Sequence, residues 1–232
     1  MTTSFAVTRD DLIKASLRTL GVIGQGDVPT ASEVTDIAQA LNIMIKSWMV
    51  DGLPLWGVTE LLVPMVVGKQ SYTLGPTGDV VTSYRPLRLV DAFIRTSDNH
   101  DTNLQIISRQ EYNLQGDKGN GSIPNQVYYD PQLSNGVLYV FPPATDTTRT
   151  IHLIIHRPLN DINLSSDGFD FPQEWYQALK WGLAAEIATE FGVPTDILQV
   201  VETKAVAYKE KMVDWSQEEA STFFKLDTRG LR

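Results

Sequence analysis

FPQEWYQALKWGLAAEIATEFG, residues Phe171 to Gly192, specifies an amphipathic helix at the point where a long stretch of strand-like sequence ends. Pro172 suits the first helical position, and Gly192 followed by Pro194 closes the last turn. Trp175, Tyr176, Leu179, Leu183, Ile187 and Phe191 recur at three- and four-residue steps, so the helix carries an aromatic-rich stripe that must be buried. Its partners have to be helical segments from the other end of the chain. The expected fold class is therefore α+β: a helical bundle built from both terminal segments, interrupted by a β-rich insert.

The N-terminal segment supplies those partners. Thr8 and Asp11 are spaced as a cap for a helix whose apolar face is Leu12, Ile13, Leu17 and Leu20, ending at Gly21. Thr30 and Glu33 form a second capping box, contributing about 1 kcal/mol, ahead of Val34, Ile37, Ala38, Leu41, Ile45 and Trp48. Gly52 and Pro54 stop that helix. From Gly57 the period changes to that of strands: 61–67 and 70–74 around a Gly68-Lys69 turn, then 87–95, 125–130, 137–141 and 149–157 between Gly, Pro and Asn clusters. Ser108 to Glu111 is a further capping box and predicts one short helix within the β region. Pro64 and Pro142-Pro143 belong at edges or bulges. After Phe191, Thr195 is expected to cap a last helix with Val201, Ala205, Tyr208 and Met212 facing inward.

Composition excludes several classes. The 232 residues are 42% hydrophobic and 20% charged, as in an ordered globular protein. With no cysteine, there is no disulfide scaffold, thiolate-zinc site or cysteine nucleophile. No apolar run reaches transmembrane length and the first residues lack a signal-peptide pattern, so the expectation is a product made in a cytoplasm, with no membrane partner. A net charge of −9 argues against a surface that grips phosphates.

Candidate chemistry is sparse. His152 and His156 are four apart, but Ile151, Leu153 and Ile155 alternate with them, so they sit on a strand face opposite the aliphatics as solvent or interface histidines instead of a metal pair. The glycines of 21–26 follow a helix, and those of 116–121 lack the Lys-Ser/Thr of a phosphate loop; both read as turns. Asp167, Asp170 and Glu174 could act as paired carboxylates, yet acidic residues at a helix start are also what the helix dipole favours. Trp175, Tyr176 and Trp181 could stack on sugars or bases, and their helical spacing points instead to packing. No catalytic, cofactor-binding or metal-binding residue is assigned, and the expectation is a protein without cofactor or enzymatic activity. The C-terminal stretch resists a core reading: Phe223, Phe224, Lys225, Leu226, Arg229, Leu231 and Arg232 put apolar and basic groups on a segment with no helical face, as a binding surface does.

The order of the pieces resembles the head-to-tail adaptors (connectors, or tail accessory factors) of short-tailed bacteriophages. The resemblance is carried by the N-terminal helical pair ending DGLPLW, by QSYTLGPTGD (70–79) with RPLR (85–88), by VYYDP (127–131) and LYVFP (138–142), and by FPQEWYQALK running into LAAE (171–186). It implies a structural virion protein at the head–tail junction, forming a homo-oligomeric ring, twelve copies in similar proteins, beneath the portal protein ring. It also implies a DNA channel without sequence-specific binding, a platform for the tail nozzle or tail tube protein, and a C-terminal arm reaching along the portal. The expected organisation is a helical bundle from 1–56 and 170–215, an antiparallel sandwich or barrel-like insert over 57–169, and an extended arm over 216–232. Two alternatives stay open on residues alone: a glycan hydrolase using Asp167, Asp170 or Glu174, and a carbohydrate-binding module using Tyr128 and Tyr129.

Overall fold

The computed structural model describes residues 7–51, 55–164 and 169–215. Among the described residues, five α-helices and nine strands follow the order α1 (Arg9–Leu20), α2 (Ala31–Asp51), β1 (Val58–Pro64), β2 (Ser71–Gly75), β3 (Val80–Val81), β4 (Arg88–Thr96), β5 (Asp101–Asn103), β6 (Gln105–Ile106), α3 (Arg109–Leu114), β7 (Gln126–Asp130), β8 (Gly136–Phe141), β9 (Arg149–His156), α4 (Tyr176–Ile187) and α5 (Thr195–Trp215). The fold is α+β, with the helices of both chain ends packed together.

The helix starts follow local chemistry. The Thr8 hydroxyl accepts from the Asp11 N–H and the Asp11 carboxylate accepts from the Thr8 N–H, which satisfies two donors that the first turn would otherwise leave open. Thr30 with Glu33 and Ser108 with Glu111 repeat the arrangement at α2 and α3. Two expectations shift at the C-terminal helices. Residues Gln173–Trp175 form a 3-10 turn before α4 begins at Tyr176, with turns continuing from Ala188 to Gly192, and Thr195 is itself the first residue of α5 rather than its cap.

One core belongs to the helices. Leu12, Ile13 and Leu17 of α1, Ile37, Leu41 and Ile45 of α2, and Leu179, Leu183 and Ile187 of α4 are buried together, joined by Val201 of α5. Helix α4 lies at the centre, in contact with α1, α2 and α5. Its Gly182 is required by the closeness of α2, because a Cβ there would lie 2.6 Å from the Trp48 ring and 3.1 Å from Met44 Sδ. Leu159 and Ile162, from the segment after β9, are also buried in this core.

A second core belongs to the strands. Sheet one runs β1-β9-β4-β5 and is antiparallel throughout; sheet two runs β3-β2-β8-β7-β6. In sheet two the short pairs β2–β3 and β6–β7 are parallel, a departure from the purely antiparallel expectation. Val63, Ala92, Ile94, Ile151, Leu153 and Ile155 of sheet one and Tyr72, Leu74, Val127, Leu138 and Val140 of sheet two form a single cluster, so the sheets pack face to face. Leu104, buried between β5 and β6, carries the chain from one sheet to the other and donates its N–H to Ala92 O at 2.8 Å. The turn at Gly68 likewise separates β1 and β2 into different sheets instead of joining them as a hairpin. Pro64 ends β1, which is an edge strand, and Pro142 lies just beyond β8.

The strand registers orient the sandwich on the bundle. Val58 pairs with His156 where the chain enters and leaves the sheets, whereas Pro64 pairs with Thr150 and Thr96 with Arg149 at the opposite end. Loops 64–70, 116–125 and 142–148 thus gather at the end opposite the chain's entry from and return to the helical bundle. They are tied there by Gly68 N to Ala144 O (2.9 Å), Gln70 Nε2 to Lys118 O (2.8 Å) and Ser122 N to Pro143 O (2.9 Å). The helical core includes an aromatic cluster: the Trp56 ring lies 5.0 Å from that of Trp175 and 5.8 Å from that of Phe171, and Trp48 is 6.1 Å from Trp175.

Candidate functional site

Of the carboxylates ahead of α4, Asp170 acts as a structural anchor. Arg157, directly after β9, binds both oxygens of Asp170, with Nη2 to Oδ1 at 2.8 Å; the Asn160 N–H adds 3.2 Å to Oδ2, and Trp56 Nε1 donates to Asp170 O at 3.0 Å. Burial pushes the Asp170 carboxyl up, but the Arg157 guanidinium and the Asn160 N–H outweigh it and hold the group below the usual carboxylate range. A carboxylate gripped this way positions the chain where sandwich meets bundle. It is not poised to move protons, nor does it serve the α4 dipole as the sequence suggested. Glu174 is exposed in the 3-10 turn, and Asp167 lies outside the described residues.

The histidines occupy the outer face of sheet one, as their spacing predicts, but they are buried instead of facing solvent. His152 stacks on Phe93 at 4.9 Å and its Nδ1 lies 2.5 Å from Glu60 Oε1. His156 Nε2 lies 3.2 Å from Arg88 Nη2, and since arginine only donates, Nε2 accepts and the neutral ring carries its proton on Nδ1. Burial, and secondarily the Arg88 charge, lower the His156 pKa. Each ring is thus held by a neighbouring strand. Among the described residues no three His, Asp or Glu side chains gather as metal ligands would, and no helix is long and apolar enough to cross a membrane.

The aromatic candidates are likewise occupied. Tyr128 stacks on Tyr139 across β7 and β8 at 5.6 Å, Tyr112 of α3 lies 5.1 Å from Tyr139, and Arg109 bonds both Tyr128 Oη (2.8 Å) and Asp130 Oδ2 (2.6 Å). Helix α3 therefore covers the face on which a sugar would stack. Tyr129 turns the other way, donates to Pro86 O at 2.6 Å and is pushed up to about 12 by burial. Trp175 is a core residue, and Trp181 stacks on Tyr208 of α5.

The stretch 70–79 has a conformational role. Asp79 accepts from Lys69 Nζ (2.6 Å), Thr73 N (2.8 Å) and Thr73 Oγ1 (2.9 Å), which lowers its pKa to about 2. Gly78 lies against Thr73 so closely that a Cβ would come within 2.4 Å of its carbonyl oxygen. This is a tightly closed turn with no open donor cradle.

What remains are surfaces. Val66, Val67 and Ile123 are 50%, 58% and 49% exposed on the far loops of the sandwich. A groove of about 640 Å³ opens along the outer side of α2, lined by Arg9, Gln39, Asn42, Ile43, Lys46 and Asp161. Asn42 shapes it by exchanging hydrogen bonds with the Ile162 backbone (2.9 and 3.2 Å), and Lys46 by pairing with Asp161 at 2.5 Å. These contacts join residues more than a hundred positions apart and left no local signal in the sequence. The expected partner-binding residues Phe223, Phe224, Lys225, Leu226, Arg229, Leu231 and Arg232 lie outside the described residues.

No curated protein matches the chain. A family model, that of the SU10 adaptor protein, matches residues 7–220 and so spans the helical core, the sandwich and the whole of α5. With its polar clusters engaged in holding the fold and its remaining features being surfaces, this chain belongs to the SU10 adaptor protein family, a group of phage adaptor structural proteins.

Proposed function

We propose that this chain is a head-to-tail adaptor of a short-tailed phage, a non-enzymatic virion component that forms a ring beneath the portal, extends the DNA channel, helps retain packaged DNA and presents a platform to the tail nozzle. The observation that carries this reading is the family match, because it covers the bundle and the sandwich together and not one module alone. The two-ended architecture supports it. A bundle at one end and a set of loops bearing exposed Val66, Val67 and Ile123 at the other suit a protein that bridges two different partners.

The division of labour follows the two cores. The bundle, with Leu159 and Ile162 counted in it, is the portal-side body, the sandwich is the outward or tail-facing part, and 216–232 is an arm along the portal in which Phe223, Phe224 and Leu226 supply apolar area and Lys225, Arg229 and Arg232 supply charge. A ring of twelve copies is expected from the resemblance. A net charge of −9 per copy suits a channel that repels phosphates and lets DNA slide. The same charge, repelling neighbours, fits free subunits that remain monomers or small oligomers until a portal gathers them.

The test is deletion of residues 221–232. The truncated chain melts as the full chain does and no longer co-sediments with the portal ring. Undiminished co-sedimentation would place the portal-binding surface elsewhere, and a much lower melting temperature would make the segment part of the core.

A further inference from the structure

Two outward helix faces match each other. On α2, Ile43 is 57% and Val50 87% exposed, with Lys46 between them; on α5, Val206 is 56% and Val213 39% exposed, with Glu210 between them. Both apolar pairs are seven residues apart, two helical turns, so each presents one apolar-charged-apolar ridge. Laid antiparallel, Ile43 meets Val213, Lys46 meets Glu210 and Val50 meets Val206 in one register. Sliding α5 by six residues to bring Val200 onto Val50 sets Lys46 against Lys204, so charge selects the register. Lys46 has capacity for this contact: Asp161 and Leu159 O use two of its three donors, and its side chain is 46% exposed. The α2 face also borders the groove lined by Ile43 and Lys46.

We propose that the α5 face of one copy docks on the α2 face of the next, making a head-to-tail contact between copies of this chain. The inference rests on the ring reading and deepens it by assigning the surface. Because the two faces differ, the contact is heterologous, and repeated around an axis it closes into a ring rather than a two-fold dimer. Two aliphatic side chains and one ion pair per face cover far less than the roughly 800 Å² per partner of a stable complex, so the contact is weak in free solution and accumulates only when copies are held side by side.

The absence of native cysteine makes the test specific. Full-length Val50→Cys and Val206→Cys chains, one carrying a size tag, are mixed at high concentration under mild oxidation, with and without the portal ring. The expected result is a mixed disulfide dimer from this pair, and a markedly lower yield when Ile43→Cys replaces Val50→Cys, since that pair belongs to the parallel register. Adding Lys46→Glu to the Val50→Cys chain lowers the yield, and Glu210→Lys on the Val206→Cys chain restores it. Equal trapping of both pairs, no trapping in either setting, or trapping only after removal of 216–232 would overturn the assignment; the last would make that segment the occupant of the α5 face. Register-specific trapping by a chain that never binds the portal would leave this surface standing and sink the adaptor reading. Portal-bound rings that do not trap would sink this surface alone.

Discussion

Arg157 and Asp170 clamp the junction of the two halves: the residue that leaves the last strand binds, through both terminal nitrogens, the residue that leads into α4, while Trp56 at the entrance to the first strand bonds the Asp170 carbonyl. The two crossings between sandwich and bundle, one ahead of β1 and one from β9 to α4, are thereby held at one point. Side-chain exposures of 21% and 18% leave the pair partly shielded from water, so it counts for more than a surface ion pair.

Asp170→Asn is expected to lower stability by about 1–3 kcal/mol, since it leaves the Arg157 charge without its counter-ion. The folded-state pKa of Asp170 is depressed, so its contribution is fully present above the unfolded value near pH 4 (about 3.9) and is lost as pH falls through the lower folded value. Denaturant melts across the acid range should show a shallower acid limb for the variant than for the parent chain.

His156 behaves in the acid limb for a different reason. Its folded pKa is lowered, first by burial and then by Arg88, so the unfolded chain takes up the proton first, and stability falls as pH drops below about 6.5 towards the lower folded value. His156→Gln should flatten that slope by up to about 1.4 kcal/mol per pH unit, read from thermal melts between neutral and mildly acid pH. An unchanged slope would show that the ring is not buried neutral against Arg88.

Gly182→Ala tests the closeness of α2 and α4. Overpacking against Trp48 and Met44 costs about 1–3 kcal/mol, partly offset by the roughly 1 kcal/mol gain in helix propensity. The net effect on the parent is destabilising. In a Trp48→Leu background the same substitution should become neutral or stabilising, because the ring it strikes is gone.

The helical half of this fold was legible because its signals are local. Thr8, Thr30 and Ser108 each sit three residues before the acid they pair with, and the apolar steps of 12–20 and 37–45 fall on one face whatever the tertiary context. Strand positions were legible for the same reason, but strand partners were not. The Gly68 turn looks like a hairpin in sequence, and only burial of both Val63 and Tyr72 in one core, from opposite sheets, shows that the chain changes layer there. The short strands β3, β5 and β6 have two or three residues each and are set by their neighbours rather than by their own composition.

The surfaces were least legible. His152 and His156 were placed on the right face, yet their burial depends on Phe93, Glu60 and Arg88 from adjacent strands. Asp170 read as a helix-dipole residue because Arg157, its partner, lies across the return from the sandwich and carries no spacing signal. The α2 and α5 ridges are regular in sequence, but only the buried faces of those helices reveal which side points outward.

The most direct measurement of the central claim is electron microscopy of the portal ring of the same phage mixed with the full-length chain. The account predicts a second ring of this protein stacked coaxially on the portal, its channel continuous with the portal channel and its sandwich loops bearing Val66, Val67 and Ile123 on the side away from the portal. Portal rings that remain bare, or that bind the chain off the channel axis, would contradict it.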